Sequence, residues 1–385
     1  MKTSFDFFSR LRRQVFGRKE RASLKSSDFI ELTDRPLFGP DRHRSFGNTL
    51  ETCLNTWRND PLGRRIVSLT TQFSVGRGFR IAADDPESEV FLHEFWKHPL
   101  NRMDARLMEW SDELCRTGNL FVMLSSDSGG MSYVRAIPTA MVEEIISEAN
   151  DIEQPALFRL REASADEEIR FPELKSVEPA SLLKPETHEA MLHFTVNRPV
   201  GAQWGESDLT PVLPWLERYR EWLLDRCELN HYRSSFVYMV KTARETDFER
   251  HLRQEQLNLT RPNPGQVFVV DADEEWQVIK PNFESADANE DGLAIKKMIA
   301  AGMGIPVSFL AEPGSASKAE SSGMEDSACR NFRQRQQTLL WIVETVLQHV
   351  LVRGAHVRRE LDPDCEIHVY GDDISAPGMS EGGIF

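Results

Sequence analysis

Apolar residues recur every three to five positions from Gly47 to Ser74, at Leu50, Leu54, Trp57, Leu62, Ile66 and Leu69, the spacing of an amphipathic helix. Pro61 lies inside that run and predicts a break or kink, because its ring removes a helical hydrogen bond. Gly76 and Gly78 then turn the chain into an extended segment ending near Ile81. Further helices are predicted over Pro86–Trp96 and Asp104–Thr117, the second stopped by Gly118 and followed by a strand, Asn119–Ser125. Period-two segments at Ser132–Ile137, Leu157–Glu162 and Met191–Val196 read as strands around a polar stretch, Ala163–Pro185.

The pattern changes at Ser207. Thr210 as cap and Pro211 in the first turn predict a helix start. The long helix that follows carries Trp215, Tyr219, Trp222, Leu223 and Leu229 on its apolar side and runs out near Tyr232. A small α/β insert is expected next: strand Phe236–Val240, helix Glu245–Asn258, a Pro/Gly turn at Arg261–Gly265, and strands Gln266–Val270 and Trp276–Ile279. Another helix, Ala286–Ala301, is stopped by Gly302 and Gly304 before Pro306. Ser308–Ser322 is rich in Gly, Ser and Ala and predicts a mobile loop. Gly323–Val352 is the longest helical pattern, with Phe332, Leu339, Val343, Val346 and Val350 near heptad spacing. A strand, Glu366–Tyr370, and a polar tail close the chain.

Charge changes this picture. The 385 residues carry 46 Lys and Arg against 61 Asp and Glu, a net charge of −15. Such a balance argues against a surface that grips nucleic acid everywhere, since phosphate neutralisation needs clustered cations. The distribution is uneven: residues 1–25 hold eight Lys and Arg but only Asp6 and Glu20 as acids, about +6, leaving about −21 on the rest. Phe5, Phe8, Leu11, Val15 and Phe16 give this arm an amphipathic character suited to an acidic partner, a subunit contact or a membrane surface. Mean hydropathy is −0.44, and no apolar run approaches the 18 or so residues of a membrane helix. Five scattered cysteines without a C-x-x-C pair, and ten histidines without H-E-x-x-H spacing, predict neither a disulfide framework nor a metal site.

The catalytic motifs are fragments. Tyr370-Gly371-Asp372-Asp373 matches a metal-binding tetrapeptide of template-dependent polymerases, but only twelve residues follow it; a strand-end turn is the simpler expectation. Ser315-Ala316-Ser317-Lys318 matches S-x-x-K without its partner motifs. Asp271-Ala272-Asp273-Glu274-Glu275 reads as an acidic turn between strands, and no Walker A loop is present. No cofactor and no enzymatic activity are expected. A metal-dependent nucleotidyl transferase built on Asp372 and Asp373 is the enzymatic alternative, and a membrane- or scaffold-binding adaptor the other.

The order of elements from Gly205 to Val352 resembles the core of the tailed-bacteriophage portal proteins. Gly205-Glu206-Ser207 stands before a long helix; after the insert come Asp291-Gly292-Leu293-Ala294-Ile295, Ala300-Ala301-Gly302-Met303-Gly304-Ile305-Pro306 and Phe309-Leu310. Upstream, Asn59-Asp60-Pro61, Val75-Gly76-Arg77-Gly78-Phe79 and Gly118-Asn119-Leu120-Phe121 resemble the family's wing. The resemblance implies an α+β, ring-forming portal fold. Its parts would be a basic arm (1–46), a wing (47–206), stem helices (207–235 and 283–305), an α/β clip (236–282), a tunnel loop (306–322), a long wing helix (323–352) and a C-terminal strand and tail (353–385) with a reduced or missing crown. Family members form a ring, twelvefold in the virion, at one capsid vertex, through which double-stranded DNA is packaged and ejected. The implied partners are further copies of the chain, the DNA, the packaging terminase, head-completion adaptors, and the major capsid and scaffold proteins, with no membrane. The implied location is the virion, and the host cytoplasm during assembly. Lys296, Lys297, Ser315, Ser317 and Lys318 would face DNA in the stem and tunnel loop, with the acidic excess lining the tunnel wall and letting phosphate slide.

Overall fold

The computed structural model describes residues 41–149, 151–161, 170–173, 189–234, 237–242, 246, 248, 251–252, 255, 274–279, 288–310 and 318–374. Residues Met1–Asn48 and Thr49–Phe385 form two compact units. Of the first, the described part is the opening of a helix at 41–48; both hydrophobic cores belong to the second.

Pro61 divides the first helical run into α1 (Asp41–Asn59) and α2 (Pro61–Val75). Asp60 caps α2 by accepting a 2.8 Å bond from the Gly63 amide, and proline in the first turn loses no helical bond there. Gly76, at φ 56°, ends α2 and leads into β1 (Arg80–Ala83). α3 (Pro86–Lys97) repeats the device, with Asp85 accepting from the Ser88 amide. α4 (Met103–Thr117) stops at Gly118, left-handed at φ 74°.

The sheets follow. β2 (Asn119–Ser126), β3 (Ser132–Ile137) and β7 (Glu189–Thr195) form an antiparallel sheet in the order β3-β2-β7. β4 (Val142–Glu148), β5 (Asp151–Leu160) and β6 (Arg170–Pro172) form another. Neither β4 nor β6 was expected from sequence, and β5 begins six residues ahead of the predicted Leu157. The β4–β5 ladder shifts register after Val142, Ile146 and Ser147. Each shift breaks the two-residue alternation on which the sequence reading depends.

α5 (Leu213–Ser234) starts two residues later than the Pro211 that a Thr210 cap predicted. The residues before it form turns instead, with Ser207 Oγ accepting from the Leu209 amide while Leu209 and Val212 sink into the core. β8 (Val237–Thr242) pairs antiparallel with β9 (Glu274–Ile279); the rest of the expected insert lies largely outside the described residues. α6 (Ala288–Met303) runs through Gly302, and Gly304, at φ 63°, follows its end. Between α6 and the last helix stands a single helical turn, α7 (Val307–Leu310).

The last helix, α8 (Lys318–Ala355), has 38 residues and a length of about 57 Å at 1.5 Å per residue. It begins five residues before the expected Gly323 and runs three beyond Val352. β10 (Ile367–Tyr370) returns to pair antiparallel with β1.

Two cores result. The first gathers Phe91, Phe95, Leu107, Trp110, Leu120, Leu192 and the α8 residues Leu339, Val343, Val346 and Val350. The second gathers Ile66, Leu69, Leu209, Val212, Leu216, Ile299 and the α8 residues Ala328, Cys329 and Phe332. One helix therefore supplies both, its opening half to one and its closing half to the other.

Candidate functional site

The root of α5 is built by two glycines, distant in sequence, that touch backbone to backbone. A Cβ on Gly205 would lie 2.2 Å from the Gly118 carbonyl oxygen and 2.4 Å from that of Val196. A Cβ on Gly118 would meet the Glu206 backbone at 2.4 Å. Asn119 clasps the join: its Nδ2 donates to the Gly205 carbonyl at 3.1 Å, and its Oδ1 accepts from the Gly205 amide at 2.9 Å. Only glycine permits this approach.

The next residues tie the root to α4 and α8. Ser207 Oγ donates to the Cys115 carbonyl at 3.0 Å. The Asp208 carboxylate accepts from Arg335 Nη2 at 2.7 and 2.9 Å and from Asn197 Nδ2 at 2.6 Å. The Arg335–Asp208 pair is largely buried, with side-chain exposures of 15% and 11%. Removing one partner of such a pair costs about 3–5 kcal/mol because the other charge stays desolvated. Burial, followed by the Asp208 charge, pushes the neighbouring Cys115 thiol well up, so this cysteine stays protonated and inert.

A cleft of about 440 Å³ opens here, lined by Ser207, Asp208, Thr210, Gly302, Asn331 and Arg335 among others. Its far wall is the end of α6, where a Cβ on Gly302 would lie 2.6 Å from Val212 Cγ1. Asn331 Nδ2 donates to the Met303 carbonyl and so closes the turn at Gly304. Phe73 stacks on Phe332 and Phe309, with centroids 4.6 and 5.7 Å away, and Arg65 Nε donates to the Phe309 carbonyl. The motif residues Gly302, Gly304, Ile305 and Phe309 thus join α6 to α2 and α8.

Beyond the root, α5 and α6 cover each other along one narrow stripe. Trp222 lies against Gly292, where a Cβ would meet its ring at 2.5 Å. Tyr219 stacks on Trp222 at 5.7 Å, and Lys296 Nζ sits 5.4 Å over the Tyr219 ring. Tyr219, Trp222, Arg226 and Leu229 are half-buried, while the residues between them are exposed. Leu223, expected on the apolar side, is 42% exposed and Leu224 is 59% exposed. Their angular position on the helix carries them past the narrow groove that α6 covers. Glu217, Glu221, Asp225 and Glu228 lie exposed at i, i+4, i+8 and i+11, an acidic stripe along the same helix.

Of the five cation and serine candidates, Lys296, Lys297 and Lys318 lie among the described residues. Lys296 is held at the α5–α6 seam, and Lys297 beside it is exposed. Lys318 is the first residue of α8, and Ser315 and Ser317 lie outside the described residues. Of the two polymerase-like aspartates, Asp372 serves the fold. Asp372 Oδ2 accepts from the Arg77 amide at 2.8 Å and from Arg77 Nε at 3.3 Å. The amide bond, more than any other contact, holds the Asp372 carboxyl below the usual range. Gln336 Nε2 donates to the Asp372 carbonyl, so the end of β10 is anchored between the segment that follows α2 and the middle of α8. The acidic run is also split, with Glu274 and Glu275 opening β9 and residues 271–273 outside the described residues.

The sequence reading missed the Asn119 clasp, the Asp208–Arg335 pair and the exposed leucines. Gly118-Asn119 and Gly205-Glu206 both stood out as motifs; nothing local said that they meet.

The fold has solved relatives. A chain from the neck of a native gene transfer agent particle, computed with C12 symmetry, superposes with a TM-score of 0.57 at 14% identity, covering 89% of this chain and 88% of that one. A chain from the virion of a native gene transfer agent particle gives 0.56 at 14% identity, with the same shares. More distant is an HK97-family phage portal protein from Corynebacterium diphtheriae, at a TM-score of 0.39 and 13% identity over 79% of this chain and 90% of that one. No protein-family model matches the sequence, and no curated protein does. The likeness to a particle-neck protein is one of fold, and it extends over nearly the whole chain.

Proposed function

We propose that the chain is a portal protein, the subunit of a ring at one capsid vertex through which double-stranded DNA is packaged and later ejected. The observation that carries this reading is the fold shared across 89% of the chain with a protein of a particle neck computed with C12 symmetry. The α5–α6 pair supports it, because two helices that cover only one stripe of each other suit lateral packing against copies of themselves. In this reading α5 and α6 are the stem, the insert with β8 and β9 is the clip, and α8 backs the tunnel loop. The clip docks the packaging terminase and then the head-completion adaptors, while the wing meets capsid and scaffold. The acidic stripe Glu217, Glu221, Asp225 and Glu228 faces the channel and repels phosphate, so DNA slides without being gripped. Lys297, together with Ser315, Ser317 and Lys318, makes the passing contacts, and Lys296, held over the Tyr219 ring, has a lesser part.

Twelve copies of a 44.1 kDa chain make a ring of roughly half a megadalton, visible by native mass spectrometry or negative-stain imaging. A protein that stays monomeric at every concentration and salt tested refutes the reading. Within it, Lys318→Glu, or shortening residues 314–321, leaves the ring intact and impairs packaging or retention of DNA; normal packaging by both variants removes the loop from the mechanism.

A further inference from the structure

The outer face of the β1–β10 ribbon carries three metal-ligating side chains that the channel reading does not use. The ladder pairs Arg80 with Tyr370, Ala82 with His368, and Ala83 with Ile367. It continues one step further through the Asp84 amide, which donates to the Glu366 carbonyl at 3.2 Å. Ile81 and Ile367 are buried in the first core, with Ala83 and Val369 packed against it. Alternation along a strand therefore places Ala82, Asp84, Glu366 and His368 together on the opposite face.

On that face one donor atom from each of Asp84, Glu366 and His368 lies within 4.8 Å of the others. His368 Nε2 stands 3.2 Å from Asp84 Oδ1. Two ligands of a tetrahedral ion, each about 2.1 Å from it, are about 3.4 Å apart, close to this separation. Both strands are fixed by the ladder, and the small Ala82 opposite His368 leaves the imidazole room.

A second observation concerns charge. Asp84 and Glu366 face each other across an antiparallel pair, an arrangement that is destabilising when both are ionised. Among the described residues the Glu366 carboxylate makes no ion pair or hydrogen bond, and Asp84 has only His368 as an ionic partner. The nearest cation on the same face, Arg80, stands at its far end opposite Tyr370, where its charge acts on Asp372. The two carboxylates thus share a place that lacks a permanent positive charge.

We propose that Asp84, Glu366 and His368 form a divalent metal site that clips β1 to β10. One imidazole with two carboxylates selects a borderline first-row ion such as Zn²⁺, not Mg²⁺ or Ca²⁺, which prefer oxygen alone. Water completes the coordination, since three ligands leave positions open. When the ion binds, the His368 Nε2 lone pair turns to the metal, and any proton shared there with Asp84 leaves to Nδ1 or to solvent. The site joins residues from opposite ends of the folded unit and so restrains the final strand against the first.

The test uses the full-length, untagged, chelator-treated protein. Calorimetric titration with Zn²⁺ gives one site per chain in the wild type, weakened at least about tenfold in H368A and in E366Q, and unchanged in the exposed control E360Q. Saturating Zn²⁺ raises the melting temperature of the wild type by a few degrees, on the order expected of a ligand bound only to the folded state, and leaves H368A unmoved. Equal uptake by wild type and H368A, or no uptake at all, overturns the proposal. So does a wild type whose stability follows protonation of His368 but ignores Zn²⁺, for then the imidazolium alone relieves the carboxylates. None of these results depends on whether the chain forms a ring.

Discussion

The first core and the α5–α6 pair are opposite solutions to the burial of helices. Around Trp110 the helices α3, α4 and α8 close on the β3-β2-β7 sheet, and the residues at the centre, Phe95, Leu107, Trp110, Leu114 and Leu120, are fully buried. Along α5 beyond Leu216, only a stripe every three or four residues is half-covered among the described side chains, and Leu223 and Leu224 stand in solvent. The first region holds itself together. The second presents apolar surface that an isolated chain leaves unsatisfied, as subunit contacts do.

Substitutions can break this contrast from either side. The largest effect is expected at Gly205, where the alanine Cβ in G205A would drive into two backbone carbonyls. Backbone cannot yield as a side-chain end does, and soluble expression should fall or the cooperative melt disappear. W110A should cost about 3–5 kcal/mol by cavity formation, read from the midpoint of a denaturant titration. D208A should cost about 3 kcal/mol by leaving Arg335 desolvated; D208A/R335M should recover part of that loss.

A pH effect of middle size belongs to the first region. His193 is half-buried, stacked on Phe121 at 4.2 Å, with Nε2 facing Asn119 Oδ1. Burial, helped by the Arg198 charge, pulls its pKa down to about 3. The unfolded chain takes up the imidazole proton near pH 6.5, whereas the folded chain does not until about pH 3. Stability from this group is therefore complete above pH 6.5 and falls by up to about 1.4 kcal/mol per pH unit between 6.5 and 3. H193Q should flatten that slope in acid denaturation curves.

The smallest effect on the single chain is expected from L224E, within about 0.5 kcal/mol because the side chain is exposed. Ring assembly should nevertheless fail in native mass spectrometry if the exposed leucines are a subunit contact. A normal ring from L224E would place the contact elsewhere and weaken the contrast drawn above.

Much of the framework was legible in the sequence because its signals are local. Gly118 and Gly304 mark helix ends, and Pro61 and Pro86 helix starts, through their own backbone preferences. The seam of α8 was also readable, since Leu339, Val343, Val346 and Val350 repeat at helical spacing and are all buried. Where local rules were broken the reading failed. The bulged β4 lost its alternation, and the turns after Ser207 displaced the predicted start of α5. The candidate site was less legible still: Lys296 and Lys297 are neighbours in sequence, yet one sits on an aromatic ring and the other in solvent.

The sequence by itself determined the order of the helices and of the regularly alternating strands, the glycine and proline breakpoints and the uneven charge, because each depends on residues within a turn or two of one another. Only the tertiary structure decided that Gly118 meets Gly205, that Asp208 holds Arg335, that Leu223 faces solvent, and that Asp84, Glu366 and His368 share one face. Those are contacts between distant segments. Periodicity tells which face of an element is apolar, but which surface covers it is set by how the elements pack.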